Sequence, residues 1–314
     1  MNSAIEGPPG APRTVLVTGA TGLVGRALTR SLLESGVHVL ALSRNVRRAS
    51  QLLGGGAVRC IERLDEVPCD IAIDSVIHLA GARVLDRRWT AARREKLLRS
   101  RTDLADEIMK LIRRLLQAPR VLVSASAVSY YGASGMAPRT ESDSPVGHDF
   151  ASRFCVDIEA AAWQASRFGV RVVPLRLGIV LGRDDGALAP LAMGARVGLG
   201  AELGSGRQPV CWIHVDDAVR MIRLAIDGDN VHGPLNAVAP DIPTQAQFIG
   251  AIAARFGRRV RVRVPAAALR LLLGERARLL LEGQVAVPRT ALDAGFDFHH
   301  PTLAGALQDL LPGG

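Results

Sequence analysis

The stretch TVLVTGATGLVG, residues 14–25, decides the fold of this 314-residue chain. A short apolar run, Thr14 to Val17, leads into a turn that contains Gly19, Gly22 and Gly25, and a helical pattern follows from Leu23 to Leu33. In such a turn the first glycine permits the tight bend, the second lets the backbone approach a ligand, and the third lets the helix pack on the strand. The stretch therefore predicts a strand, a turn and a helix whose first N–H groups can hold phosphate.

The alternation of strand and helix continues beyond this helix. A β-branched, apolar run over residues 37–43 completes a βαβ unit. Further buried strands are predicted at 75–80, 120–124 and 170–176, and long helices at 91–116 and 152–167. Strands that alternate with helices of this length predict an α/β fold, a Rossmann-type doubly wound parallel sheet that binds ligands at the carboxyl ends of its strands.

The pattern changes after Gly182 to loops rich in glycine and proline. From about residue 240 to the end, three shorter helical patterns surround one strand near residues 260–264. We predict a dinucleotide-binding Rossmann domain over residues 14–182, to which residues 211–239 also contribute. Residues 183–210 and 240–314 are predicted to form a smaller C-terminal α+β substrate lobe, and residues 1–13 a disordered leader.

Composition excludes several classes of protein. Apolar residues make up 48% of the chain, but none of their runs is long enough to span a membrane. The four cysteines lack the spacing of a zinc site, so we expect no metal and reduced thiols. The first thirteen residues lack the apolar stretch of a secretory signal and the basic helix of a transit peptide, so we expect a cytoplasmic location. The net charge of +9 comes almost entirely from arginine, and aromatic residues that could stack on bases are scarce. We therefore expect a small-molecule substrate and no nucleic-acid partner.

The end of the second strand predicts which dinucleotide binds. An Asp or Glu at this point would accept a hydrogen bond from the ribose 2′-hydroxyl, but Ser43 and Arg44 stand here. A guanidinium pairs well with phosphate oxygens, so the pair favours NADP(H) over NAD(H). The alternative is that Arg44 is an ordinary solvated turn residue.

Short motifs characteristic of one family are distributed along almost the whole chain. They are TGATGLVG (18–25), HLAG (78–81), RRW (87–89), SR (100–101), SASAVSYYG (124–132), PLRLGIVLG (174–182), GSGRQ (204–208), WIHVDD (212–217), LLLEGQVAVP (279–288) and AGF (294–296). In combination they resemble the atypical short-chain dehydrogenase/reductase group of the NAD-dependent epimerase/dehydratase superfamily, in its epimerase family protein branch. The resemblance implies an NADP-binding Rossmann domain with a small substrate lobe. The cofactor residues predicted from the turn and from the resemblance are Gly19, Thr21, Gly22, Leu23, Val24, Gly25, Ser43, Arg44, Leu79, Ala80, Gly81, Arg101, Ser124 and Val180.

The resemblance also shows a departure from the superfamily's catalytic pattern. The Tyr-x-x-x-Lys pair of the superfamily falls on Ala151 and Cys155. The chain contains only two tyrosines, so a tyrosyl acid or base must be Tyr130 or Tyr131. Together with Ser126, which resembles the superfamily's catalytic serine, they are our candidate catalytic residues. The alternative is that the tyrosines only shape the loop over the cofactor.

Candidate substrate residues follow in the predicted lobe. Arg207 and Gln208 come after a glycine-rich loop that suits an anionic ligand, although a mobile surface loop has the same composition. His214 is a further candidate, with a role at the helix entry beside Asp216 as the alternative.

Together these patterns predict an NADP-dependent oxidoreductase or epimerase that acts on a sugar-like or nucleotide-sugar-like small molecule. One alternative is a catalytically impaired NADPH-binding sensor or regulatory protein. The other is an arginine-driven nucleic-acid binder on the same scaffold. The sequence predicts no oligomeric state.

Overall fold

The computed structural model describes residues 13–183 and 185–311. Its strands, in chain order, are Thr14–Thr18 (β1), His38–Leu42 (β2), Val58–Ile61 (β3), Ser75–His78 (β4), Val121–Ala127 (β5), Pro138–Arg139 (β6), Arg171–Leu177 (β7), Ile179–Leu181 (β8), Ala201–Leu203 (β9), Trp212–His214 (β10), Leu235–Ala237 (β11), Val262–Val264 (β12) and Val285–Ala286 (β13). Its α-helices are Leu23–Glu34 (α1), Val46–Leu52 (α2), Ala91–Arg114 (α3), Phe150–Trp163 (α4), Leu188–Arg196 (α5), Val215–Asp227 (α6), Gln245–Ala254 (α7), Ala266–Leu273 (α8), Arg278–Leu281 (α9), Arg289–Asp293 (α10) and Leu303–Leu310 (α11).

A seven-stranded sheet in the order β11-β7-β5-β4-β1-β2-β3 forms the centre of the structure, and all its strand pairs are parallel. This confirms the predicted Rossmann-type doubly wound sheet. Val15 of β1 pairs with Val39 of β2 on one side and with Ser75 of β4 on the other. The order of strands reverses between β1 and β4, so the chains leaving these two strands diverge and open a crevice at their carboxyl ends.

Apolar layers cover both faces of this sheet because successive side chains of a strand point to opposite faces. Val15 and Val17 are buried in one cluster with Leu28 of α1 and Ile222 of α6. Leu16, which lies between them in the sequence, is buried in a second cluster on the opposite face. Burial on both faces explains why the strands read as continuous apolar runs.

Several element boundaries differ from those predicted. Helix α4 begins at Phe150 because the Asp149 carboxylate caps it, accepting the N–H groups of Ala151 and Ser152. Strand β5 continues to Ala127, since its pairing with β7 extends that far. Short strands such as β3 and β11 were not predicted, because three or four residues carry too little periodicity.

Two domain predictions can be placed on the structure. Residues 1–12 of the predicted leader lie outside the described residues, but Arg13 is part of the fold because it forms ion pairs with Asp74 (3.0 Å) and Asp227 (2.8 Å). Strand β11, from the segment 211–239, lies at the edge of the central sheet. The division into a Rossmann domain and a substrate lobe stays a prediction. Among the described helices, none is long and apolar enough to cross a membrane.

Candidate functional site

A cleft of about 350 Å³ opens at the point where the strand order reverses. It is lined by Gly19, Gly22, Leu23, Val24, Gly25, Leu79, Ala125, Leu177, Ile179, Val180, Gly186 and Ala187. The structure thus brings together the glycine-rich turn, the end of β4 and the segment near residue 180, as the sequence predicted. Ala125, Leu177, Ile179, Gly186 and Ala187 were missed, although the first two follow from their places near the carboxyl ends of neighbouring strands. Of the other predicted cofactor residues, Thr21, Ser43, Arg44, Ala80, Gly81, Arg101 and Ser124 are not part of this lining.

The glycine-rich turn presses its backbone against the end of β4. Gly19 has a φ of +75°, and a Cβ atom added to it would lie 2.7 Å from the backbone nitrogen of Ala80. A Cβ on Gly25 would lie 2.2 Å from the carbonyl oxygen of Gly19. Gly22, in contrast, is exposed and precedes α1 without a side-chain cap. The first N–H groups of α1 therefore face the cleft side of the turn without an intrahelical acceptor, which suits a phosphate.

Three arginines surround the end of β2. Arg44, Arg47 and Arg48 are exposed, and in residues 13–183 and 185–311 none of them lies within ion-pair distance of a carboxylate. Asn45 starts α2 by accepting the N–H of Arg48 at 2.9 Å. Short helix α2 thus carries Arg47 and Arg48, which the sequence analysis missed, beside Arg44. The positive charge at the end of β2 suits an anionic group on the ribose.

Arg101 extends from α3 to the residues that follow β4. Its guanidinium lies against Gly81, where an added Cβ would be 2.3 Å from the Arg101 Cζ. It lies 5.0 Å from the centre of the Phe154 ring and donates to the carbonyl oxygen of Ala82 at 3.3 Å. Burial lowers the pKa of Arg101, and the described part of the chain offers it no carboxylate partner. Arg101 is thus a half-buried cation whose charge no acidic side chain balances.

His78 is buried at the end of β4. Its Nδ1 lies 2.9 Å from the hydroxyl of Thr18, which also accepts the N–H of Ala80. Burial lowers the pKa of His78 to about 4, and the positive charge of Arg101 adds to the shift. His78 is therefore a neutral ring near pH 7 that joins the ends of β1 and β4 under the cleft.

Ser126, one of the predicted catalytic residues, is part of a buried hydrogen-bond network. Ser126 Oγ donates to Glu159 Oε1 at 2.6 Å, and Glu159 forms a two-point ion pair with Arg176 at 2.9 and 3.0 Å. Glu159 and Arg176 are 5% and 2% exposed. Since the Ser126 hydrogen is committed to Glu159, the Ser126 oxygen has only lone pairs left to offer a ligand.

The two tyrosines differ in their surroundings. Tyr131 is fully buried; its hydroxyl donates to Asn236 Oδ1 at 2.7 Å and accepts from Arg176 at 2.9 Å. Burial raises the pKa of Tyr131 to about 12, against the opposing effect of Arg176. Tyr130 is half-buried, its ring lies 3.4 Å from the Arg176 Cζ, and among the described residues its hydroxyl has no hydrogen-bond partner. Of the two, Tyr130 has the hydroxyl that is free for a ligand.

Ala151 and Cys155, onto which the resemblance places the superfamily's Tyr and Lys, are both buried on α4. Both belong to an apolar cluster with Trp89 and Phe154. Burial and the charge of Glu159 raise the pKa of Cys155 to about 12, so the residue remains a thiol at neutral pH. Neither residue can supply the proton or the positive charge that the pair provides in the superfamily.

The predicted substrate residues lie apart from the cleft lining. Gln208 is buried, and its amide donates to the carbonyl oxygens of Leu203 and Leu280 at 2.9 and 2.8 Å. Arg207 is exposed next to it. The structure brings neither them nor His214 into the lining, and their role in substrate binding stays a prediction.

His214 is buried at the start of α6. His214, His300 and Asp309 place possible ligand atoms within 4.8 Å of one another. However, His214 Nδ1 accepts the N–H of Asp216 at 3.1 Å, which assigns the proton of the neutral ring to Nε2. Nε2 then faces Asp309 Oδ2 at 3.3 Å as a donor, and a metal there would have to break the helix cap. The cluster therefore joins α6 to α11 by hydrogen bonding.

Residues 15–237 match the model of the NAD dependent epimerase/dehydratase family. The chain belongs to this family. A second match, to a Domain of unknown function (DUF1731), covers residues 264–310. These matches confirm the resemblance inferred from the motifs.

Relatives of similar length extend the comparison to the whole chain. Epimerase family protein SDR39U1 of Mus musculus is 37% identical over 303 residues, covering 95% of this chain and 99% of the relative. Epimerase family protein YfhF of Bacillus subtilis is 35% identical, covering 95% and 97%. A crystal structure of human SDR39U1 with NADPH superposes with a TM-score of 0.84 at 34% identity and covers 95% of this chain and 99% of the human chain.

The contrast between the two tyrosines predicts different effects on stability. Tyr131→Phe removes the hydroxyl that satisfies Asn236 and Arg176, so we expect it to lower the free energy of unfolding by about 1–3 kcal/mol. Tyr130→Phe removes a hydroxyl without such partners and is the matched control, with an expected change within about 0.5 kcal/mol. Urea unfolding of both variants measures the change in the free energy of unfolding. Equal effects would contradict the assignment of Tyr131 to the buried network.

The depressed pKa of His78 predicts a pH dependence. Between pH 6.5 and about 4 the unfolded chain binds a proton at His78 that the folded chain does not. The free energy of unfolding should therefore fall as the pH drops through this window, by about 3 kcal/mol at most from this residue. His78→Gln should reduce that slope in urea unfolding, whereas the exposed control His232→Gln should keep it. Identical slopes for His78→Gln and the unchanged protein would contradict the buried neutral state.

Proposed function

We propose that the protein is an NADP(H)-dependent oxidoreductase of the epimerase family. The observation that carries the proposal is the cleft at the strand reversal with the N-terminus of α1 in its lining. At the end of β2, three exposed arginines have no carboxylate partner among residues 13–183 and 185–311. The phosphates of a dinucleotide fit the N-terminus of α1, and a ribose 2′-phosphate fits the arginines at the end of β2. The similar human SDR39U1 structure contains NADPH, which supports the same choice of cofactor here.

Different residues of this chain would bind the cofactor, select it and supply positive charge near it. When bound, NADPH supplies a hydride. The turn Gly19–Gly25 binds and orients the dinucleotide, and Arg44 selects it by charge. Arg101 would supply positive charge near Cys155, which the resemblance aligns with the superfamily's lysine. Its guanidinium lies against Gly81 and Phe154, and its charge acts to lower the pKa of Cys155.

Tyr130 is the residue that can exchange a proton with a substrate. Its hydroxyl has no hydrogen-bond partner in the described part of the chain, and its ring lies against Arg176, which Glu159 holds in place. The buried hydroxyl of Tyr131 is left with the structural role that the sequence analysis kept as its alternative. Ser126 contributes as an acceptor, since its proton is committed to Glu159.

The sensor or regulatory alternative keeps one specific observation in its favour. Ala151 and Cys155 leave the usual catalytic positions apolar, so a protein that binds NADPH without turnover would have this same helix. The sugar-like substrate expected from the resemblance depends on the family alone.

Cofactor selection gives the first prediction for this proposal. Arg44→Glu replaces an attraction for the 2′-phosphate by a repulsion, so NADPH binding should weaken about tenfold to a hundredfold while NADH binding changes little. Arg30→Glu, a charge reversal at an exposed position of α1, is the matched control. Calorimetric titration of each variant with both cofactors measures the ratio of the dissociation constants for NADPH and NADH. A protein that binds NADH as tightly as NADPH, or keeps its preference in Arg44→Glu, would contradict the proposal.

Turnover gives the second prediction. We expect a panel of carbonyl compounds to include some that oxidise NADPH in the presence of the protein. Tyr130→Phe should then lower kcat about a hundredfold with unchanged NADPH affinity, since it removes the proton donor. Turnover that is insensitive to Tyr130→Phe would remove Tyr130 from the mechanism, and tight NADPH binding without turnover on any carbonyl would favour the sensor.

A further inference from the structure

Helix α5 has apolar side chains on both its inner and its outer side. Ala192 and Ala195 are buried in one cluster with Phe248 of α7. On the outer side, Met193 is 73% exposed, and Val197, which follows one helical turn later, is 64% exposed. A helix at the surface of a protein normally turns polar side chains toward water. The outer side of α5 is therefore apolar where a polar face is expected.

The chain turns back after α5 and adds a third apolar side chain to this face. Gly198 has a φ of +80°, and the N–H of Leu199 donates to the carbonyl oxygen of Gly194 at 2.8 Å. Leu199 thus returns to the last turn of α5, where it is 67% exposed. Side chains that line a groove are partly covered by its walls, whereas Met193, Val197 and Leu199 project from the surface. We call these three residues the apolar ridge.

The apolar ridge lies in a part of the chain that has only positive charge. Residues 186–201, which contain the ridge, and residues 242–274 together hold seven arginines and no aspartate or glutamate. The two segments are neighbours in the fold, because Val262 of β12 pairs with Ala201 of β9 and because α5 packs on α7. The positive charge of the second segment is therefore added to that of the ridge.

Four of these arginines have no acidic partner. Arg196, Arg258, Arg259 and Arg261 are exposed, and over residues 13–183 and 185–311 none of them lies within ion-pair distance of a carboxylate. Glu202, the acid nearest to the ridge in the sequence, already faces an arginine of β12 at 3.9 Å. Projecting apolar side chains beside unpaired cations suit a partner that is both apolar and anionic.

We propose that the apolar ridge and the four arginines dock on an anionic lipid surface, with the ridge at the level of the headgroups and the guanidinium groups at the lipid phosphates. A bilayer deforms around projecting side chains, whereas a folded protein would need a matching groove. A second copy of the chain, related by a twofold axis, would bring arginines against arginines. A nucleic acid would pair with the arginines but leave the ridge in water. The docking goes beyond the proposed function and does not depend on it.

Cosedimentation of the full chain with lipid vesicles tests the docking. We expect the protein to be retained on vesicles of equal parts phosphatidylcholine and phosphatidylglycerol, but not on phosphatidylcholine alone. Met193→Gln/Leu199→Gln should weaken the retention about tenfold, because two apolar side chains no longer leave water. Leu116→Gln/Met136→Gln changes a leucine and a methionine that are 81% and 64% exposed outside the two segments, and this matched control should bind as the unchanged protein does.

An arginine pair tests the electrostatic part separately. Arg258→Gln/Arg259→Gln should weaken retention on the mixed vesicles about tenfold, since each arginine near an anionic surface contributes to binding. Arg153→Gln/Arg167→Gln removes two exposed arginines on and after α4 and is the matched control, with a smaller expected loss. Urea unfolding of each variant shows whether it folds like the unchanged protein.

Three results would overturn the proposal. The first is no retention on the mixed vesicles. The second is retention that Arg258→Gln/Arg259→Gln weakens but Met193→Gln/Leu199→Gln does not, because the attraction would then be electrostatic without insertion of the ridge. The third is a dimer in light scattering that Met193→Gln/Leu199→Gln dissociates while vesicles retain no protein, which would assign the ridge to a second copy of the chain.

Discussion

The close approach of the glycine-rich turn to the end of β4 is the constraint on which the rest of the site depends. Gly19 and Gly25 leave no room for a side chain, since added Cβ atoms would meet backbone atoms at 2.7 and 2.2 Å. Because the turn is this tight, α1 starts directly above the strand reversal and its free N–H groups lie at the cleft. The buried ring of His78 holds β1 and β4 together beneath it. The cofactor proposal depends on this placement.

The buried charges next to α4 come from arginine. Cys155, which the resemblance aligns with the superfamily's lysine, is a buried thiol, while Arg101 on α3 lies against Phe154 and Arg176 on β7 pairs with Glu159. Arg176 is balanced by Glu159, so removing either partner would leave a buried charge uncompensated at about 3–5 kcal/mol. Arg101 has no such partner in the described residues.

The sequence predicted the parts of the molecule that depend on local pattern. The β1–α1–β2 unit, the parallel sheet and the approach of Leu79 to the turn follow from apolar runs, glycine spacing and the topology of parallel strands. The place of Val180 came from the family resemblance alone. The network of Ser126, Glu159, Arg176, Tyr131 and Asn236 could not be predicted, because its members come from separate segments and meet only in the fold. The same is true of Gln208, whose side-chain amide donates to the carbonyl oxygen of Leu280, a residue distant in the sequence. Arg47 and Arg48 were within reach of the reasoning that selected Arg44, since α2 starts directly after it.

A crystal structure of the protein soaked with NADP⁺ would show where the dinucleotide binds. We expect the pyrophosphate at the N–H groups of Leu23, Val24 and Gly25, and the 2′-phosphate beside Arg44 at the end of β2. A dinucleotide bound with its 2′-phosphate away from the arginines of β2 and α2, or a cleft that stays empty at saturating NADP⁺, would contradict this expectation.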